Sequence, residues 1–295
     1  MKRFTPTLSL FLLILANCTT HTSPDEKPTV MVSIAPQKYF VQQVADTLVR
    51  VEVMVPAGSS PETYEPTASQ LKAMSKAKVY FSLGLLEFEL SMLKNIQKQN
   101  PNLLLVDHSK ELNLMEGTCD HDHHHHSHSH SHGHDPHVWT SPAEVKVMVN
   151  SIADKLSLLY PENAKHFSEN AIAFTHQLDS LHQHIQAKLA NTSGKKFFLF
   201  HPALTYYARD YGLTQVSLEE DGKAPSMQHF KSVLQKAKEQ GSTTIFIQRE
   251  FDVNTAKTAA ADIGGKVEVI DPLDEDWLNN MYHITRMLHK ALNGE

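Results

Sequence analysis

PENAKHFSENAIAFTHQLDSLHQHIQAKLANTSG, residues 161–194, is the stretch on which the fold turns. Within it Ala164, Phe167, Ala171, Phe174, Leu178, Leu181, Ile185 and Leu189 recur at intervals of three and four, the apolar stripe of an amphipathic helix. Pro161 suits its start and Gly194 its stop. A helix of about 30 residues would be roughly 45 Å long. Four heptads would also fit a coiled-coil segment but do not demand one. The two flanks decide, because on both sides short β-rich runs alternate with helical patterns.

Upstream, residues 29–34, 50–55, 79–83 and 103–107 read as strands. Pro36 opens a helix with Tyr39, Phe40, Val44 and Leu48 near helical spacing. Thr67-Ala-Ser-Gln70 is a capping box, so a helix with Leu71 and Met74 facing inward should follow. Ser141-Pro-Ala-Glu144 is a second, with Pro at the first helical position, ahead of an apolar face of Val145, Met148, Ile152, Leu156 and Leu159. Downstream, residues 197–200, 215–218, 244–247 and 267–270 read as strands, and 202–211, 227–239 and 253–263 as helices. A closing helix carries Trp277, Leu278, Met281, Ile284, Leu288 and Leu292. Alternation of this kind implies parallel sheets covered on both faces. The expected fold is α/β: two lobes, each a four-stranded parallel sheet flanked by helices, joined by one long rigid backbone helix. Such a spine would limit hinge motion. The implied division is 29–160 for the N-terminal lobe, 161–192 for the backbone helix and 193–295 for the C-terminal lobe.

Composition excludes several classes. The 295 residues are 41% hydrophobic and 20% charged, enough apolar material for real cores and against a wholly disordered chain. With 27 Lys+Arg against 33 Asp+Glu, the net charge of −6 offers no basic excess for nucleic acid. Two cysteines rule out a disulfide framework. Histidine is the anomaly: ten of its 20 residues fall between His121 and His137.

The first residues read as an address. Lys2 and Arg3 precede an apolar run from Leu8 to Ala16, broken only by Ser9, that is too short to span a bilayer and fits a secretory signal. Leu15-Ala16-Asn17-Cys18 resembles a bacterial lipobox, in which cleavage precedes a Cys that carries the lipid. It departs from the usual pattern at Asn17, where Gly, Ala or Ser is common. An ordinary cleaved signal with an incidental Cys is the weaker reading. Residues 1–17 are thus expected to be a signal peptide and 18–28 a tether lipid-anchored at Cys18. Cleavage removes two basic residues and no acid, leaving 25 against 33 and a mature charge of −8. It also leaves Cys119 as the only thiol besides the lipid-bearing one.

In open α/β sheets, ligands bind outside the carboxyl ends of the strands. Four metal-competent residues fall there: Glu62 after the second strand, His137 before the helix capped by Ser141, His201 after the 197–200 strand, and Asp271 after the 267–270 strand. Each neighbours a proline, Pro61, Pro136, Pro202 or Pro272, which stiffens its loop. Two imidazoles and two carboxylates suit four-coordinate Zn²⁺, with Mn²⁺ the alternative, and two carboxylates would cancel the charge of the ion. On spacing alone the signal is modest, since a single His at a strand end is more often structural. Glu219, Glu220 and Glu250 also follow strands and are candidates to orient the imidazoles. His108 could approach the cleft, whereas His176, His182 and His184 suit a solvated face of the long helix.

Local words then match a family. Ser60-Pro-Glu-Thr-Tyr-Glu-Pro66, Asp135-Pro-His-Val-Trp-Thr-Ser-Pro142, Phe200-His-Pro-Ala-Leu-Thr-Tyr-Tyr-Ala-Arg-Asp-Tyr-Gly212, Gly222-Lys-Ala-Pro-Ser226 and Ile270-Asp-Pro-Leu273 occur in order. Over residues 29–292 the chain resembles the ZnuA-like zinc and manganese solute-binding proteins of ABC importers, in the TroA superfamily. The resemblance implies two parallel-sheet lobes joined by a backbone helix, with a metal between the lobes held by His137, His201 and Asp271. The first ligand of that family is usually His in a Ser-Pro-His word, and Glu62 stands there in this chain. Many zinc members also carry a His-rich acidic loop just before the Asp-Pro-His word.

Here that loop covers residues 116–134, with His121, His123, His124, His125, His126, His128, His130, His132 and His134. By composition it cannot form a core and is a metal-affine tract. Neutral imidazoles suit Zn²⁺ far better than Mn²⁺. Cys119 could add a thiolate, although a spectator thiol is the blander reading. The leading expectation is an extracytoplasmic, lipid-anchored, monomeric receptor, not an enzyme, that captures Zn²⁺ and delivers it to the permease of an ABC importer, with no nucleic-acid partner. The alternatives are a manganese receptor of the same type, a surface metal buffer or adhesin, and a zinc hydrolase. Against the last, there is no His-Glu-x-x-His helix, and four protein ligands leave no open position for a catalytic water.

Overall fold

The computed structural model describes residues 27–117, 133–219, 226–239, 244–261 and 264–294. In the first half, β1 (Thr29–Val32), α1 (Ala35–Ala45), β2 (Arg50–Val53), α2 (Ala68–Met74), β3 (Val79–Ser82), α3 (Glu87–Gln99) and β4 (Leu104–Asp107) alternate. Their strands form a parallel sheet in the order β2-β1-β3-β4. Helices α4 (Pro142–Leu159) and α5 (Ala164–Leu189) follow. The second half repeats the scheme with β5 (Lys196–Leu199), α6 (Thr205–Tyr211), β6 (Thr214–Ser217), α7 (Met227–Glu239), β7 (Thr244–Gln248), α8 (Val253–Ala261), β8 (Lys266–Ile270) and α9 (Trp277–Asn293). The order β6-β5-β7-β8 is the same fold of strands again. Each expected strand appears, shifted by a residue or two at its ends.

Helix α5 runs for 26 residues after a 3₁₀ turn at Pro161–Asn163, somewhat shorter than the periodicity suggests. Its stripe of Phe167, Ala171, Phe174, Leu178, Leu181, Ile185 and Leu189 is buried against α1, α4 and α9. Each large apolar side chain taken out of water in this way contributes about 1.5–3 kcal/mol. Phe40 of α1 meets Trp277 of α9 edge to face, with ring centroids 5.1 Å apart, and Phe174 of α5 lies beside Phe40 at 6.4 Å. One hydrophobic core therefore passes continuously from the first sheet through α5 to the second. A separate core, including Phe198, Phe230, Leu234 and Ile247, fills the space between the second sheet and α7 and α8.

Local departures have physical reasons. Thr67 and Gln70 form the expected reciprocal cap of α2, but Leu71 is 37% exposed, because the two-turn helix leaves it on the wall of an open hollow; Met74 alone turns inward. Ser141 accepts from the Glu144 N–H as expected, yet the Glu144 carboxylate does not return to the cap. It accepts instead from Arg209 and from the Asn113 N–H, tying α4 to α6 and to the segment after β4. Helix α3 has no counterpart in the sequence reading above. It begins at Glu87, just after Leu86, and the fully buried carboxylate of Glu89 accepts from the N–H groups of Leu83, Gly84, Leu85 and Leu86.

Candidate metal centre

The two sheets direct the carboxyl ends of their strands at a common cleft. Glu62 reaches it from the loop after β2, His137 from the turn before α4, and His201 from the end of β5. The His137 and His201 Nε2 atoms are 3.1 Å apart. Glu62 Oε1 is 3.7 Å from His137 Nε2, and Oε2 is 3.2 Å from His201 Nε2. Among the described residues these three form the one group of His, Cys, Asp and Glu whose ligand atoms converge within 4.8 Å. Both imidazoles are buried, and the Glu62 side chain is about one-third exposed at 34%.

The far side of each ring meets a carboxylate. His137 Nδ1 is 3.0 Å from Asp135 Oδ1, which also accepts from the His137 backbone N–H. His201 Nδ1 is 2.6 Å from Glu219 Oε2. A carboxylate only accepts, so each Nδ1 carries the proton and each Nε2 is turned to the cleft, the arrangement a metal requires of an imidazole. Gln248, the fully buried last residue of β7, holds the backbone of His201 from the other side. Its amide donates to the His201 C=O at 2.7 Å and accepts from the His201 N–H at 3.3 Å.

Charge follows from this packing. Burial alone would strip His201 of its proton, but its hydrogen bonds to Glu219 and Glu62 and their negative charges outweigh it and raise its pKa to about 10. Burial likewise pushes Glu62 up, and the hydrogen bond from His201 with the charges of His137 and His201 brings it below the usual carboxylate range. Asp135 is held low against its burial by His137. A divalent cation with the same three partners would take over the role that the His201 proton plays.

Asp271 stands apart from the converging trio. It follows β8, is raised chiefly by burial, accepts from the Leu273 N–H, and lies 3.6 Å from Arg249 Nη1. It lines an adjoining hollow of about 420 Å³ with Arg249, Glu250, Asp274 and Glu275. Glu250, raised by burial and by Asp271, is there as well. His134 is exposed and pairs in an isolated antiparallel bridge with Glu116, next to the Gly117 N–H to Gly133 C=O bond of 2.9 Å. Cys18, Cys119, His121, His123, His124, His125, His126, His128, His130, His132 and Glu220 lie outside the described residues. His108 does not approach the cleft: it is fully buried, stacked on Phe81.

Two positioning groups escaped the reading of single residues. Asp135 was present in the quoted Asp-Pro-His word, and its two-residue offset from His137 is the signal that finds it. Gln248 carries no such signal, because an amide at a strand end is unremarkable until its neighbours are known.

Comparisons with known proteins give the family of the chain. Residues 30–291 match the family model ZnuA, described as zinc-uptake complex component A, periplasmic. The zinc-binding lipoprotein AdcA of Streptococcus pneumoniae is 29% identical over 277 residues, which cover 90% of this chain and 54% of that protein. A zinc-binding protein AdcA of Streptococcus pyogenes is 30% identical over 265 residues, 84% of this chain and 51% of its own. The chain thus spans about half the length of these curated relatives. Among solved structures, a crystal structure of ZnuA is 35% identical with a TM-score of 0.81, covering 90% of this chain and all of that one. Zn(II)-bound AdcA from Streptococcus pneumoniae is 25% identical with a TM-score of 0.76, covering 90% and 58%.

Proposed function

The chain belongs to the ZnuA family of periplasmic zinc-uptake components, and from that premise we propose that it is the extracytoplasmic receptor of an ABC importer, taking Zn²⁺ into its interlobe site and delivering it to a membrane permease. The observation that carries this reading is the convergence of His137 Nε2, His201 Nε2 and the Glu62 carboxylate, each imidazole already oriented by a carboxylate behind it. Zn²⁺ is the cargo that donor set favours over Mn²⁺, by imidazole content and by the Irving–Williams order. The relatives named for zinc binding support the same choice.

Asp271 is the proposed fourth ligand. A short movement that exchanges Arg249 for the ion would bring a second carboxylate to the centre and neutralise its charge. Four protein ligands leave no position for a catalytic water, which favours a receptor over a hydrolase. The histidines of residues 121–134 would act as an auxiliary reservoir. Cys18 would carry the anchor, as the lipoprotein name of one relative encourages. The division into signal, tether, two lobes and backbone helix, and a monomeric state, belong to the same proposal.

The test is metal analysis of the purified mature chain, lacking residues 117–134, at matched free Zn²⁺ and Mn²⁺. One tightly held zinc is expected. Equal or preferential retention of manganese would overturn the assignment.

A further inference from the structure

The N-terminal lobe is electrically polarised along its strands. At their carboxyl ends a hollow of about 640 Å³ opens beside the metal centre and is bordered by Glu62, Glu65 and Glu87. At their amino ends lies a second hollow of about 640 Å³, between the starts of β1 and β2 and helix α2. Lys27, Arg50, Lys72, Lys76 and Lys78 line it, all exposed, against one acid, Glu52. Five of the nine basic residues between positions 27 and 117 are gathered on this face of a chain whose net charge is −6. The hollow at the amino ends thus carries an excess of cations even with Arg50 paired to Glu52, whereas the charged residues lining the one at the carboxyl ends are all acids.

The chain also enters the lobe at the basic pole. Lys27 lies in the hollow, and the Pro28 C=O accepts from the Arg50 N–H at 2.9 Å. Eight residues lie between Cys18 and Lys27, a reach of at most about 30 Å when extended. We propose that this basic face docks on the anionic phospholipid headgroups of the membrane that carries the anchor. The metal mouth is then turned away from the bilayer, toward the medium that supplies the ion. The inference rests on the lipid-anchored reading above for its reach. Its charge logic is independent of it. Clustered lysines beside an anionic surface attract it additively, and the attraction fades within about 8 Å at physiological salt, so only a face brought close by a short tether can use it. The acidic pole disfavours the inverted orientation by repulsion. Release by salt or by the competing attraction of a permease would free the receptor to turn over and deliver.

The experiment uses the mature chain with Cys18→Ser, which has no acyl group, and vesicles of phosphatidylglycerol or of phosphatidylcholine alone. Co-sedimentation with the anionic vesicles at low salt is expected, with none on the zwitterionic ones. Lys72→Glu with Lys76→Glu should weaken it at least about thirtyfold, leaving melting temperature and zinc affinity unchanged. A matched reversal on helices α7 and α8 of the C-terminal lobe, Lys236→Glu with Lys257→Glu, should bind as before. Equal affinity for both vesicle types, no vesicle binding, or undiminished binding by the Lys72/Lys76 variant would overturn the proposal. So would full competition by millimolar inorganic phosphate at constant ionic strength, which would identify a soluble-anion site instead. Recovery of the intact-Cys18 protein in the soluble fraction of cells would sink the anchor and is read separately from the vesicle titration.

Discussion

His201 and Glu62 aim at one point from opposite lobes, and they are held in very different ways. His201 is fastened twice, its ring by Glu219 from the end of β6 and its backbone by Gln248 from β7, so the two strands flanking β5 each supply one restraint. His137 is fastened by Asp135 in the same manner. Glu62 hangs from a loop, and the described ion pairs of its carboxylate are with the two imidazoles themselves. The rings are thus set before any ion arrives, whereas the carboxylate is located by charge. If the site takes an ion as proposed, the fixed half would select it and the adaptable half would close on it.

Removing a fastened ligand should cost most. His201→Ala is expected to lower Zn²⁺ affinity at least about a thousandfold, because it deletes a donor and leaves Glu219 buried without its partner. Competition against a chelator of known affinity measures this, and a loss under tenfold would mean that His201 is not a ligand. Glu62→Gln comes next, at about a hundredfold, since it removes a charge but no fixed donor geometry. Glu62→His should keep tight binding. Near-equal affinities for wild type and Glu62→Gln, in a chain lacking residues 117–134, would show that the adaptable half is dispensable.

Loosening the fasteners should matter less, about 10–100-fold for Glu219→Gln or Asp135→Asn. The same variants sharpen the pH dependence. His201 keeps its proton up to about pH 10, so zinc must expel it, and affinity should rise close to tenfold per pH unit from neutrality toward 10. Glu219→Gln should flatten that slope, which calorimetry in buffers of differing protonation enthalpy reads as fewer protons released. Gln248→Leu, touching only the backbone of His201, should cost a few-fold.

The last effect lies outside the site and concerns stability alone. His108 is buried with neither ring nitrogen hydrogen-bonded, and burial lowers its pKa to about 4. Its folded pKa is below its unfolded one, so its contribution is complete above about pH 6.5 and is lost as the pH falls toward 4, by about 3 kcal/mol. His108→Leu should flatten the acid limb of the melting-temperature profile without changing zinc binding. An unchanged acid limb would locate the sensitivity elsewhere.

Much of this was legible beforehand, and what was not follows a pattern. Strand–helix alternation and the α5 stripe specify the fold because burial on one face leaves a periodic trace. His137 and His201 were legible because strand ends and stiff turns limit where a side chain can be. Asp271 occupies the same kind of position, yet sequence cannot tell that the Leu273 N–H and Arg249 draw its carboxylate aside. Leu71 was misplaced because a two-turn helix lacks the length to declare which face is covered. Glu144 was misplaced because Arg209, 65 residues away, outbids the local cap. Gln248 was invisible for a related reason, since its partner is 47 residues distant. Long-range polar contacts leave no period in the chain.

The two tryptophans of the protein meet at one place. The Trp139 indole donates to the Pro272 C=O and the Trp277 indole donates to the Trp139 C=O, so the pair clasps one lobe to the other. The Trp139 ring lies 5.1 Å from that of His137. Light absorbed by indole is therefore absorbed only at the seam, one ring beside the His137 imidazole of the candidate site and the other hydrogen-bonded to the Trp139 carbonyl. The emission of the unlabelled protein becomes a local gauge of that seam. An ion captured at the cleft perturbs it directly, and a change in wavelength on titration can be assigned to the cleft without attaching any dye.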